Sequence, residues 1–248
     1  MNRMTSVPDH LSTMERDLRG VFADRLQSLV AYGLHAAPSR SRDRAHGAPA
    51  AALTSTLAIV TSMREPDLRA CAGHVGAWHA GGLATPLLLS SGEFEQSLDA
   101  FPLEFGAIIA DHLVVTGKDP FAGLEIDPAD IRRACEVQAR SHLLHLRQGF
   151  LETEGNGNAL ALLTVRSAGP FAALLTSVAR LQGLATHDQA AAGRYAERQL
   201  ELPPGVVTEV VELAHATDIS ATEATRIFPA YLEAMERLVQ YVDGWRTA

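Results

Sequence analysis

A change of texture near residue 118 constrains this chain more than any other feature. Before it, short apolar runs suited to strands alternate with segments of helical period. After the Pro-, Gly- and Asp-rich joint GKDPFAGLEIDPAD (residues 117–130), no strand signal remains. Such a chain is expected to fold as an α/β N-terminal domain with a mixed sheet over residues 1–120. An all-α helical bundle domain is expected over residues 121–248.

In the first half, Leu11, Met14, Leu18, Phe22, Leu26 and Leu29 recur at three- and four-residue steps, which predicts an amphipathic helix. LVAYG (29–33) and LTSTLAIVTS (53–62) read as buried strands joined by a long polar loop. EPDLRACAGHVGAWHAGGL opens with a proline and ends in Gly81-Gly82, the punctuation of one helix. TPLLLSS, PLEFGAII and HLVVTG are further strands, and GEFEQSLDAF is a short helix. In the second half, Asp127-Pro128 opens a helix running to about Glu152. Four more cover 158–183, 187–200, 204–216 and 220–243.

A formal net charge of −8 argues against bulk affinity for nucleic acid or anionic membrane. The two cysteines, Cys71 and Cys135, form neither a disulfide framework nor a zinc set and fit a reducing cytoplasm. The N-terminal residues carry no signal-peptide pattern, and no uninterrupted apolar run approaches a membrane span.

The order of elements resembles the nucleotidyltransferase superfamily, the polymerase-β-like fold, in its bacterial members with a helical C-terminal domain. Tyr32-Gly33 stands where that family's first strand ends in Gly-Ser, and TSTLAIV stands where its second strand carries Asp-x-Asp. PLEF, with Glu104, stands where a third carboxylate is supplied. The run HLVVTGKDPFAGLEIDPADIRRACEVQARSHLLHLRQGFLE is similar to the strand, joint and first long helix of those members. The resemblance implies a nucleotidyltransferase-like N-terminal domain. It also implies a ligand cleft bordered by Gly33, Leu34, Thr54 and Thr56, with Arg140 and His142 facing it from the first bundle helix.

The departures fall on the chemistry. Leu34 replaces the motif serine, Thr54 and Thr56 replace the paired aspartates, and Glu104 is the one remnant carboxylate. Nucleotidyl transfer needs two divalent cations about 3.5–4 Å apart, and magnesium prefers anionic oxygen ligands. Residues i and i+2 of a strand share a face, so the two threonines keep the direction of an acidic pair but supply neutral hydroxyls. Other acids are available at Asp43, Asp67, Asp99 and Asp111, and are expected to be solvated. Glu93 and Glu95 lie in a predicted helix, where a two-residue spacing does not share a face.

Further constellations have ordinary readings. Arg40, Arg42, Arg44 and His46 lie in the polar loop and could meet phosphate, but suit a solvated insertion. His142 and His145 are spaced for a metal, yet no third ligand is visible. Cys71, His74, Trp78 and His79 fit no zinc signature, and Trp78 suits packing between helix and sheet. GNGN (155–158) is an inter-helix loop, not a phosphate cradle.

The sequence therefore supports three expectations. The first is a nucleotidyltransferase-like pseudoenzyme that binds a nucleotide, a small molecule or a protein partner without catalysis. The second is an active transferase with a displaced site, using Mg2+ and a nucleoside triphosphate on a small molecule, protein or RNA end. The third is a structural homodimer joined through the last helix by Tyr231, Leu238, Tyr241 and Trp245.

Overall fold

The computed structural model describes residues 8–34, 53–184, 186 and 188–245. The chain divides into two compact units, Met1–Glu125 and Ile126–Ala248. The arginines at 40, 42 and 44, His46 and Asp43 lie outside the described residues.

In the first unit, α1 (Asp9–Phe22) buries Leu11, Met14, Leu18 and Phe22 along one stripe. Each such side chain contributes roughly 1.5–3 kcal/mol of burial. A 3-10 turn leads into β1 (Leu26–Tyr32), which pairs antiparallel with β2 (Ser55–Val60) on one side and β4 (His112–Gly117) on the other. β3 (Leu87–Ser90) adds parallel to β2, giving a mixed sheet of order β3-β2-β1-β4. Leu29, Ala31, Ala58 and Val60 share one core cluster with the α1 stripe, Trp78 and Leu83. The Trp78 indole donates to the Asp17 carboxylate at 2.9 Å. By the two-residue alternation of a strand, Leu57 and Ile59 point to the other face. There α4 (Ser91–Ala100) brings Phe94, packed edge-on to Phe105 of α5 (Pro102–Ala110).

Three expected elements differ. The helical step expected to continue through Leu26 and Leu29 stops at Phe22, and both leucines lie in β1, buried with the α1 stripe in the same core cluster. PLEFGAII is not a strand: Pro102, Phe105 and Ile108 are its buried residues, a helical period that begins with proline in the first turn. The segment after Glu65 is two helices, α2 (Glu65–Ala72) and α3 (Val75–Ala80), parted at Gly73-His74. Glycine is a poor helix former, and the break turns Trp78 into the core, where it is 2% exposed.

Asp67 is not a solvated acid. Arg25 grips both of its carboxylate oxygens, at 2.8 and 2.9 Å, and the Arg64 backbone N–H donates to it at 2.9 Å. The Arg25 hydrogen bonds, then the Arg64 N–H, hold its carboxyl down to about 2. Arg25 also donates to the carbonyls of Val21 and Ser62, tying the exit of α1 to that of β2.

The second unit is helical: α6 (Pro128–Glu152), α7 (Gly157–Leu181), α8 (Gln189–Gln199), α9 (Val206–Glu212) and α10 (Ala221–Gly244). Asp127 caps α6 by accepting from the Ala129 N–H, and a Ser220/Glu223 capping box starts α10. Among the described residues α7 alone is long and apolar enough to cross a membrane, yet half of its most apolar stretch is buried inside the bundle. Glu197 of α8 is 5% exposed and accepts from the N–H groups of Val207 and Thr208, closing the start of α9. Small residues set the helix spacing: a Cβ on Gly149 would lie 2.7 Å from Leu163 Cδ1, and one on Gly157 2.7 Å from the Ala221 Cβ.

At the end of β4, Gly117 has φ +83°, and a Cβ there would lie 1.9 Å from the Gln27 carbonyl oxygen. Gly117→Ala is expected to cost roughly 2–4 kcal/mol, since overpacking against backbone adds to the left-handed conformational penalty. Urea unfolding would measure it, and a change within error would contradict the close approach.

Candidate functional site

Gly33, Leu34, Thr54 and Thr56, four of the residues that carry the resemblance, lie toward the end of the sheet where β1 leaves and β2 enters. Gly33 follows β1 with φ +68°, a conformation natural to glycine, and Leu34 beside it is 41% exposed. On β2, Ser55 pairs with Tyr32 and Thr56 with Ala31, so Thr54 and Gly33 each stand one residue beyond the last pair. The predicted juxtaposition of Gly33, Leu34, Thr54 and Thr56 is therefore present in the backbone.

Among the described residues of the first unit, the side chains do not open a cleft there. Thr56 is 1% exposed, and its hydroxyl lies against Met14 Sδ at 3.2 Å, in the core beneath α1. Thr54 shares that face by alternation, and its backbone is engaged by residues 82–84: its N–H donates to the Gly82 carbonyl and its carbonyl accepts from the Ala84 N–H. The Gly33 N–H, which a phosphate would require, donates to the Asp111 carbonyl at 3.0 Å.

Glu104 is not at this sheet end on a strand. It lies in the first turn of α5 and is exposed, because the PLEF segment is helical. The acid brought to the strand ends is Asp111, 7% exposed and immediately before β4. Its position directly ahead of HLVVTG was the available signal. Beside it, His112 turns Nδ1 toward the Ile109 carbonyl at 3.1 Å and Nε2 toward Asp119 at 3.3 Å, with Phe121 edge-on. Among the described residues no group of three or more His, Cys, Asp or Glu side chains could hold a metal. Among the described residues the donors do not fit two magnesium ions and a triphosphate: Thr56 is packed under Met14, Thr54 is half-buried, and the Gly33 amide is already bonded.

The α6 candidates serve their own unit. Arg140 pairs with Asp243 of α10 at 2.6 Å and with Glu136 at 3.5 Å. His142 Nε2 stands 2.7 Å from the Tyr231 hydroxyl, which in turn donates to the Ser167 carbonyl at 3.2 Å. Burial, and secondarily neighbouring His145, push His142 down to about 4. His145 Nδ1 faces the Ser141 carbonyl at 2.8 Å, so the two rings do not converge as a metal pair. Tyr231 and Leu238, expected at a dimer interface, are both 0% exposed and belong to the bundle core. Tyr241 and Trp245 are half-buried. Both cysteines are buried and free, and burial raises the Cys135 thiol to about 12, leaving it no reactive thiolate.

No protein-family model matches the chain, and no curated protein matches it significantly.

His142 makes the helical unit sensitive to acid. Its folded value, about 4, lies below the ordinary 6.5, so the unfolded chain binds the extra proton as pH falls. The stability from a neutral His142 is complete above pH 6.5 and drains away toward pH 4. Relative to His142→Gln, the native protein is expected to lose about 3 kcal/mol over that window, at 1.36 kcal/mol per unit. Denaturant unfolding of both proteins across the window would measure this, and parallel curves would contradict it.

Proposed function

We propose that this protein is a nucleotidyltransferase-like scaffold that binds a ligand without the two-metal transfer reaction, a pseudoenzyme working in the cytoplasm. The observation that carries the reading is the position of Thr56. A residue bonded to Met14 Sδ at 3.2 Å and 1% exposed offers nothing to a cation. The used-up amide of Gly33 and the helical position of Glu104 support the same reading. The retained order of a helix followed by two antiparallel strands supports the scaffold half of it. The ligand class is a nucleotide or another small molecule, with a protein partner the other kind of occupant. The reducing compartment rests on two buried, unpaired cysteines.

Two measurements test this. Calorimetric titration with nucleoside triphosphates is expected to give the same heat with and without magnesium, and labelled triphosphates are expected to yield no transferred nucleotide. Magnesium-dependent turnover of any triphosphate would overturn the proposal. Restoring the family acid supplies the second: Thr56→Asp is expected to destabilise the protein by roughly 3 kcal/mol or more, because it buries an unpaired carboxylate. Thr54→Asp, at the half-buried strand entrance, is expected to cost less. A Thr54→Asp/Thr56→Asp protein that stays fully stable and gains magnesium binding would show the hydroxyls facing a cleft.

A further inference from the structure

A cavity of about 540 Å3 opens at the other end of the sheet, where the parallel strands β2 and β3 terminate. That volume is typical of small-molecule sites, and the carboxyl ends of parallel strands are where α/β sheets commonly bind ligands. It stands apart from the Gly33 end and does not depend on the nucleotidyltransferase-like reading.

The cavity is built by specific local devices. A register irregularity between Leu26 and Ser28 re-aims Gln27 toward it. The Ser91 hydroxyl is shared between Gln27 Oε1, at 2.8 Å, and the Val60 carbonyl, at 3.2 Å, and the Gln27 amide nitrogen donates to no group among the described residues. Gly117 presses on the Gln27 backbone, and the buried Ser28 hydroxyl donates to the Lys118 carbonyl at 2.8 Å. These two contacts fix the backbone from which Lys118 projects. Lys118 is the single lysine in the sequence, and no carboxylate lies within ion-pair distance of it among the described residues.

The opposite wall is α4. Ser91 and Glu95, one turn apart, face the cavity, and Phe94 lies between them with Ile59 to form an apolar floor. Phe121 stands behind Phe94 with ring centres 5.7 Å apart. The first turn of α4 is closed by a capping box, in which the Ser90 and Glu93 N–H groups are taken up and the Glu93 carboxylate already sits at the helix start. Charge recognition therefore rests on two side chains with no ion-pair partner among the described residues: the Lys118 ammonium on the loop wall and the Glu95 carboxylate on the helix wall, over an apolar base. A lone anion would meet Glu95, and a lone cation would meet Lys118. A small zwitterion satisfies both.

We propose that this cavity binds a free α-amino acid with an apolar side chain. Its carboxylate is held by Lys118 and the Gln27 amide, its ammonium by Glu95, and its side chain lies on Ile59 and Phe94.

The test is calorimetric and thermal-shift titration of the full chain with millimolar L-leucine and L-phenylalanine, alongside two truncated probes. Leucinamide lacks the carboxylate, and 4-methylpentanoate lacks the ammonium. Saturable binding of the amino acids is expected, weakened about tenfold or more for each truncated probe, the loss associated with one charge-assisted hydrogen bond. Lys118→Met and Glu95→Gln, both at exposed positions, are expected to weaken L-leucine binding to a similar degree. No saturable binding of either amino acid would overturn the proposal. So would equal binding of 4-methylpentanoate, which would mark an anion site, or unchanged affinity in both variants. The probe comparison on the native chain decides the matter even if a variant misfolds.

Discussion

The pairing register of β1 with β2 is the constraint on which the reading of this molecule turns. Side chains on a strand alternate, so a slip of one residue would exchange every contact on both faces. In the observed register Ala31 opposes Thr56 and Tyr32 opposes Ser55. Thr56, Ala58 and Val60 are therefore committed to the face covered by α1, while Leu57 and Ile59 are committed to the face of Phe94. A metal site at Thr54 and Thr56 would require that face to open toward solvent. Instead it closes on Met14, Leu18 and Phe22, which are all 0% exposed. Packing of the sheet thus decides a chemical question.

The two ends of the sheet are finished differently. At the Gly33 end the closing contacts include backbone bonds, from Gly33 to Asp111 and between Thr54 and the 82–84 segment. At the opposite end the chain uses side chains. Arg25 clasps Asp67 and two carbonyls, Ser28 holds the Lys118 carbonyl, and Ser91 reaches Gln27 and Val60. Polar side chains with designated partners, unused donors beside them and an apolar floor are the usual materials of a recognition site. The resemblance falls at one end of the sheet, whereas the side-chain clasps named here lie at the other.

The architecture was largely legible in the sequence. The spacing of Leu11, Met14, Leu18 and Phe22 foretells the buried stripe of α1, although the same step runs on through Leu26 and Leu29, which lie in β1, and Asp127-Pro128 foretells the start of α6. What the pattern hid has identifiable causes. PLEFGAII is apolar enough to pass for a strand, and only its three-residue period and leading proline betray a helix. LAIV (57–60) is apolar on both faces, so alternation alone could not tell which side α1 would take. The Arg25–Asp67 clasp joins residues 42 positions apart, beyond any local motif. Tyr231 looked like an interface aromatic because its partners, His142 and the Ser167 carbonyl, come from other helices. The cavity beside Lys118 depends on a strand irregularity at Gln27, which leaves no compositional trace.

The glycines of the bundle have a mechanical consequence. With Gly149 set against Leu163 and Gly157 against Ala221, α6, α7 and α10 meet at points where even one added methyl group would collide. Sliding one such helix by a residue would bring a bulkier side chain to the contact, so each shift carries a repacking cost, larger at Ala221 than at the movable tip of Leu163. The helical unit is thus suited to act as a stiff mounting with a single seating, rather than as a piston that relays motion by shifting one helix along another.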